Sequence, residues 1–222
     1  MPQLPPAYRW IDEVCLLPRM VAAACELYGT VETPGPADNP VILDWAKEAG
    51  LSKAYSSDAV PWCGLFMALI AKRAGKAAPA KPLWARSWSR FGIASPQAAL
   101  GDVLVFARAK GGGHVGLYVG EDETAFHVLG GNQSDGVTIT RIAKDRCIAV
   151  RRPVYKAAPA TAKPVELAIF ERFAIRDVGE VADPEAEDGQ LAVHDTDRLD
   201  LDPSKIKDTP LIDRVQLKLR QP

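Results

Sequence analysis

Nowhere in the 222 residues is there an uninterrupted apolar run near the roughly 18 that a membrane-spanning helix requires. Neither charge is in excess: Lys+Arg 27 stand against Asp+Glu 28, a net charge of -1, which removes the electrostatic case for nucleic acid as a partner. Cysteine is scarce. Cys15, Cys25, Cys63 and Cys147 lie far apart with no CxxC pair, so neither a disulfide-stapled scaffold nor a cysteine-based metal site is indicated. Histidine numbers only 3, and the helical HExxH spacing of a zinc hydrolase is missing. An export signal is also lacking: AAAC, ending at Cys25, follows Leu16 and Leu17, but Asp12, Glu13, Pro18 and Arg19 interrupt that stretch, which reads as amphipathic helix.

What is present suits a soluble globular chain, with 47% hydrophobic and 25% charged residues. The length allows one domain with an appendage. Pro18 splits the first apolar region into a short helix at 10–16 and a second at 18–28, closed by Gly29 and burying Val21, Ala24, Cys25 and Tyr28. After the loop TPGPADNP, Asn39 is positioned to cap and Pro40 to open a helix with Ile42, Trp45, Ala46 and Ala49 on one face, ending at Gly50. From Pro61 the run WCGLFMALIAKRA, apolar nearly all round, predicts a central buried helix to Gly75. Trp84, Trp88 and Phe91 follow at helical spacing, a stripe that ordinarily means core.

The period then changes. DVLVFA, HVGLYVG, TAFHVLG, VTITRI and IAVRR read as short strands separated by Gly-rich or acidic turns. Helices followed by an antiparallel meander predict an α+β domain over 1–155. KAAPATAKP, 156–164, has linker composition, and cutting it is expected to leave 1–155 folded. The extension at 165–222 is acidic in its middle and weakly patterned, and its role cannot be read.

Two residues invite chemistry. Cys63 stands in the first turn of the buried helix, where unpaired backbone N–H groups and the helix dipole stabilise a thiolate, although an inert buried cysteine would look alike. Cys15, Cys25 and Cys147, among apolar neighbours, read as small buried hydrophobes. His114 opens a strand after GGG and shares a face with Gly116 and Tyr118. A glycine there implies close approach of another backbone, for which the Cys63 helix is the candidate. The ordinary alternative is a partly exposed histidine without a role. A base needs an acceptor for its second nitrogen, and two side chains follow, His127 and Asn132. They fall on opposite strand faces unless the glycines before Asn132 form a bulge.

PWCGLF (61–66), GDVLVF (101–106) and HVGLYVGED followed by LGGNQSD resemble the papain-like bacterial cell-wall peptidases, the NlpC-type and CHAP families. The likeness is nearest to a small subgroup found in phages and bacterial genomes, whose pattern includes ADNPVILDW, ARSW and the terminal RRP at 151–153. It covers roughly residues 8–155. The resemblance implies a papain-like fold, Cys63 as nucleophile, His114 as base, and cleavage of an amide in the peptidoglycan stem or the sugar–peptide link. It implies no metal and no cofactor. NlpC-type enzymes favour a histidine as third residue, here His127, whereas the GGNQ pattern and CHAP-like spacing favour Asn132, which is taken here with His127 as its alternative.

The resulting expectation is a thioester mechanism with peptidoglycan as partner, an oxyanion held by the Cys63 backbone N–H, and delivery to the wall by phage lysis or a secretion system. Trp62 is the candidate substrate-binding residue; for Trp88, also considered for the groove, core packing is the more ordinary role. Two other classes compete: a zinc amidase using His114, His127 and a third ligand, and a non-catalytic wall-binding or phage structural module of the same fold.

Overall fold

Helix boundaries follow the residues that cap and break them. The computed structural model describes residues 3–35, 37–108, 111–167 and, as backbone, 218–219. A 3-10 helix at Pro6–Ile11 comes first. It lies upstream of the expected 10–16 because Pro6 occupies its first turn, where a missing N–H costs nothing. Helix α1 (Arg19–Cys25) buries Met20, Val21, Ala23 and Ala24. Helix α2 (Pro40–Ala49) is capped by the Asn39 side chain, which accepts from the Val41 N–H, and stops at Gly50 in the left-handed conformation. Helix α3 (Cys63–Arg73) begins two residues later than expected, with Trp62 at its N-cap, and every residue from Cys63 to Ala71 is buried.

Trp84, Trp88 and Phe91 part company. Residues Ala85–Arg90 form a 3-10 helix, whose period of three turns Trp84 away from the other two. Trp88 and Phe91 are buried against each other, ring centroids 5.2 Å apart, while Trp84 is 68% exposed.

The strands are β1 (Ile93–Ala94), β2 (Val103–Ala107), β3 (Gly113–Glu121), β4 (Ala125–Gly130), β5 (Thr138–Ala143), β6 (Cys147–Arg152), β7 (Val165–Glu166) and β8 (Lys218–Leu219). Hairpins join β2 to β5 in sequence, and β6 returns to the far side of β2, giving the order β1-β6-β2-β3-β4-β5. The class is therefore α+β, as the sequence predicts, with the last long strand departing from a pure meander. Two motif residues fasten that return: Arg152 donates to both carboxylate oxygens of buried Asp102, at 3.0 and 2.8 Å. Arg151 donates to the carbonyls of Phe91 and Gly92. Such bidentate pairing fixes orientation as well as contributing energy. Helix α3 packs on α1 and α2 and on β3, so its N-terminus meets the sheet at the middle strand.

The stretch after Tyr155 is docked rather than a free linker. The Leu100 N–H donates to Lys163 O, and Thr161 donates to Leu16 O. Strand β7 runs parallel to β3 beside Glu121, and the Tyr118 hydroxyl both accepts from the Val165 N–H and donates to its carbonyl. Val165 and Leu167 are buried, the latter against Gly120. The domain thus continues past residue 155 to at least Leu167. The rest of the extension, 168–217 and 220–222, lies outside the described residues.

A chain truncated after Tyr155 is predicted to be destabilised, because it uncovers the Tyr118 hydroxyl and the Gly120 surface. Leu167→Ala alone should cost about 2–4 kcal/mol, read by urea denaturation. Equal stability of full-length and truncated chains would show that 156–167 contributes nothing to the core.

Candidate active site

Cys63 occupies the first turn of α3 and is 5% exposed. Its sulfur lies where the N–H groups of Val115, Gly64 and Cys63 itself favour the anion, so it sits against β3 at the residue next to His114. Burial nonetheless dominates and pushes the thiol above its ordinary range, with Arg108 acting in the opposite sense. Cys63 therefore packs against the strand that carries His114, and neither ring nitrogen of that histidine hydrogen-bonds to the sulfur.

His114 is 2% exposed, not the partly exposed histidine of the ordinary alternative. Its Nε2 lies 2.9 Å from Oε1 of Gln133. Nδ1 is buried with no hydrogen-bond partner. Gln133 decides the tautomer, because its amide nitrogen already donates to the carbonyls of Val128 (3.2 Å) and Thr138 (2.7 Å). The amide oxygen must then face the ring, so Nε2 carries the proton and Nδ1 presents a lone pair. Burial lowers the imidazole to about 4, aided by the charge of Arg108 and opposed by the Gln133 hydrogen bond.

The acceptor for His114 is thus Gln133, one residue beyond the expected Asn132. Asn132 has φ 55°, in the left-handed region, and its amide donates instead to Glu32 at 2.9 Å. Ser134 and Asp135 share positive φ, so strand alternation fails through this turn and cannot predict which side chain points inward. The two preceding glycines do not aim Asn132 at the ring, but both permit close approach. A Cβ on Gly130 would lie 2.9 Å from Gln133 Oε1, and one on Gly131 would collide with the Trp62 ring.

His127 does not take part. Register places Val128 opposite Tyr118, on the His114 face, so His127 projects from the other face of the sheet. There Nδ1 meets the Tyr8 hydroxyl at 2.7 Å and Nε2 meets Asp122 at 2.8 Å. Arg141 completes the cluster on the same Asp122 oxygen, and these partners hold that carboxyl far below its usual range despite burial. The two histidines therefore do not converge on one metal position.

Other expectations change as well. Trp62, proposed to bind substrate, is fully buried: its ring packs edge-on against Trp45 at 5.8 Å and its N–H donates to Glu32. Gly116 makes room for Val128 and Leu129 of β4, not for α3. Cys15 is exposed, and Cys25 and Cys147 are only half-buried.

Glu32, like Gln133, was missed by sequence reasoning. One of its oxygens accepts from both Trp62 and Asn132, the residues directly before Cys63 and Gln133. Backbone pairing holds it there: Glu32 N–H donates to Asp135 O, and Val31 bridges Gly136. A lone glutamate in a Pro/Gly loop carries no periodic signal that would reveal this.

Folding keeps His114 neutral down to about pH 4, whereas the unfolded ring protonates near 6.5. The unfolded chain binds the extra proton between those values, so stability is full above 6.5 and falls as the pH drops towards 4. The predicted loss through this group is about 3 kcal/mol between pH 7 and pH 4, and it should be missing from His114→Ala in urea titrations at both pH values. An identical pH dependence in the variant would show that the ring is not held neutral by burial. Neither a protein-family model nor a curated protein matches this chain.

Proposed function

We propose that the chain is a papain-like cysteine hydrolase that cleaves an amide bond of peptidoglycan, in the stem peptide or at the sugar–peptide link. The observation that carries the reading is a buried imidazole with a bare Nδ1, its other nitrogen fixed by Gln133, on the strand whose Val115 N–H meets a cysteine at a helix N-terminus. A nucleophile, a base and an orienting group in that order are what acyl transfer through sulfur requires. The wall substrate rests on the resemblance of the PWCGLF, GDVLVF and LGGNQSD motifs.

In this mechanism the Cys63 thiol passes its proton to His114 Nδ1 as the sulfur attacks the scissile carbonyl. The tetrahedral oxyanion is stabilised by the N–H groups at the start of α3. Collapse expels the amine, which takes the proton back from Nδ1. Water, deprotonated by the same nitrogen, then hydrolyses the thioester and frees Cys63. A thiol raised by burial and an imidazole lowered to about 4 are both neutral at rest, so proton transfer accompanies attack and no ion pair is stored beforehand.

The burial of Cys63 and His114 is also the feature that favours a second reading, a wall-binding or phage structural module of the same fold that performs no chemistry.

Digestion of purified peptidoglycan separates the two. Cys63→Ala and His114→Ala should abolish release of wall fragments while unfolding cooperatively. Gln133→Ala should lower kcat by about 10- to 1,000-fold, since it frees the tautomer without removing the base. Asn132→Ala and His127→Ala should stay within a few-fold of wild type when equally folded. Wild-type protein that releases no fragments, or Cys63→Ala that digests at the wild-type rate, would exclude the mechanism.

The pH profile supplies an independent check. With the base titrating near 4, kcat/KM should hold its value from pH 7 to about 5 and fall only below that. An acid limb centred near 6.5 would mean that the working imidazole is hydrated.

A further inference from the structure

Trp84 is the most exposed aromatic side chain among the described residues, and the chain around it touches both halves of the candidate site. Residues 82 and 83 lie on the helix side: a Cβ at Gly64, directly after Cys63, would stand 2.4 Å from the Leu83 carbonyl oxygen and 2.5 Å from that of Pro82. Residues 85 and 86 lie on the strand side: a Cβ at Gly113, directly before His114, would stand 3.3 Å from Ala85 Cβ and 3.0 Å from Arg86 Cγ. The Arg86 guanidinium donates to Gly112 O at 3.0 Å, anchoring that contact. Trp84 therefore sits at the crossing from the nucleophile helix to the base strand. The Trp84 N–H donates to Lys81 O, fixing the turn that presents the ring.

The indole is 68% exposed on an anchored segment beside the candidate site, whereas Trp88 four residues on is wholly buried, so its faces are available to a ligand. We propose that Trp84 is a carbohydrate platform that stacks on the apolar face of a pyranose ring in the glycan strand, bringing the attached peptide to Cys63. The inference rests on the hydrolase reading for its choice of polymer. A sugar fits the chemistry better than an extended peptide does. Strands β2 and β3 are both interior to the sheet at this end, so neither offers a free edge to add a peptide strand. Lys81 Nζ stands over the ring, 5.7 Å from its centroid, and the indole N–H has no partner among the described residues, so donors accompany the apolar surface. A flat apolar face ringed by hydroxyls and carbonyl acceptors is the complement of that arrangement.

Full-length protein carrying Cys63→Ala, labelled with 15N, would be titrated with a hexamer of β-1,4-linked N-acetylglucosamine and, separately, with a free stem peptide. The hexamer should shift the Trp84 indole N–H resonance, and Trp84→Ala should weaken binding at least tenfold while Trp84→Phe retains most of it. With the active chain, Trp84→Ala should raise KM on glycan-linked substrate several-fold, with kcat little changed and no effect on a free stem peptide. A Trp84 resonance that answers only to the peptide, or to neither probe, overturns the proposal. Trp84-dependent hexamer binding by a wild-type chain that cuts no wall would uphold this inference and remove the hydrolase reading. Wall cleavage with KM and hexamer binding indifferent to Trp84→Ala would do the reverse.

Discussion

The hydrogen bonds of one buried amide govern the site. Gln133 is pinned by the carbonyls of Val128 and Thr138, and only because its nitrogen is so engaged does its oxygen face His114. A neutral imidazole can carry its proton on either nitrogen, and a buried unpaired donor is costly. Gln133 resolves that choice and leaves Nδ1 bare. The surrounding loop serves the same end: Glu32 ties Trp62 to Asn132, and thereby couples the residue before Cys63 to the residue before Gln133. Motifs far apart in sequence become neighbours through a single carboxylate.

Burial sets the electrical state of this arrangement. Removing water disfavours both the thiolate and the imidazolium, so Cys63 and His114 rest uncharged. The charge of Arg108 opposes protonation of His114 and eases ionisation of Cys63, and Arg146 adds to the first of these effects. The same burial that makes the site chemically quiet at rest makes the fold sensitive to acid, because the ring must charge when the chain unfolds.

Periodicity made much of the fold legible. The Asn39 cap, the Gly50 stop, the all-round apolar α3 and the alternating strands are local signals, and each produced its element. Non-local facts were not legible. Three residues of positive φ between Gly131 and Gly136 destroy the two-residue period, which is why Gln133 rather than Asn132 faces His114. Linker composition at 156–164 hid the docking of Val165 and Leu167, since their partners, Tyr118 and Gly120, lie more than forty residues earlier. A stripe that fits an α-helix placed Trp84 in the core, but a 3-10 turn put it in solvent. The places of Cys63 and His114 in the fold were legible because a helix start and a strand start are both marked in sequence.

The protonation pattern of one ring, that of His114, underlies the whole arrangement. Long-range 15N correlation spectra of the histidine side chains at neutral pH report which imidazole nitrogen bears hydrogen. The geometry predicts His114 as the neutral Nε2–H form with bare Nδ1, shifting to mixed tautomers in Gln133→Leu and titrating near pH 4 in the wild type. A wild-type His114 found as the Nδ1–H tautomer, or as an imidazolium at pH 7, would contradict it.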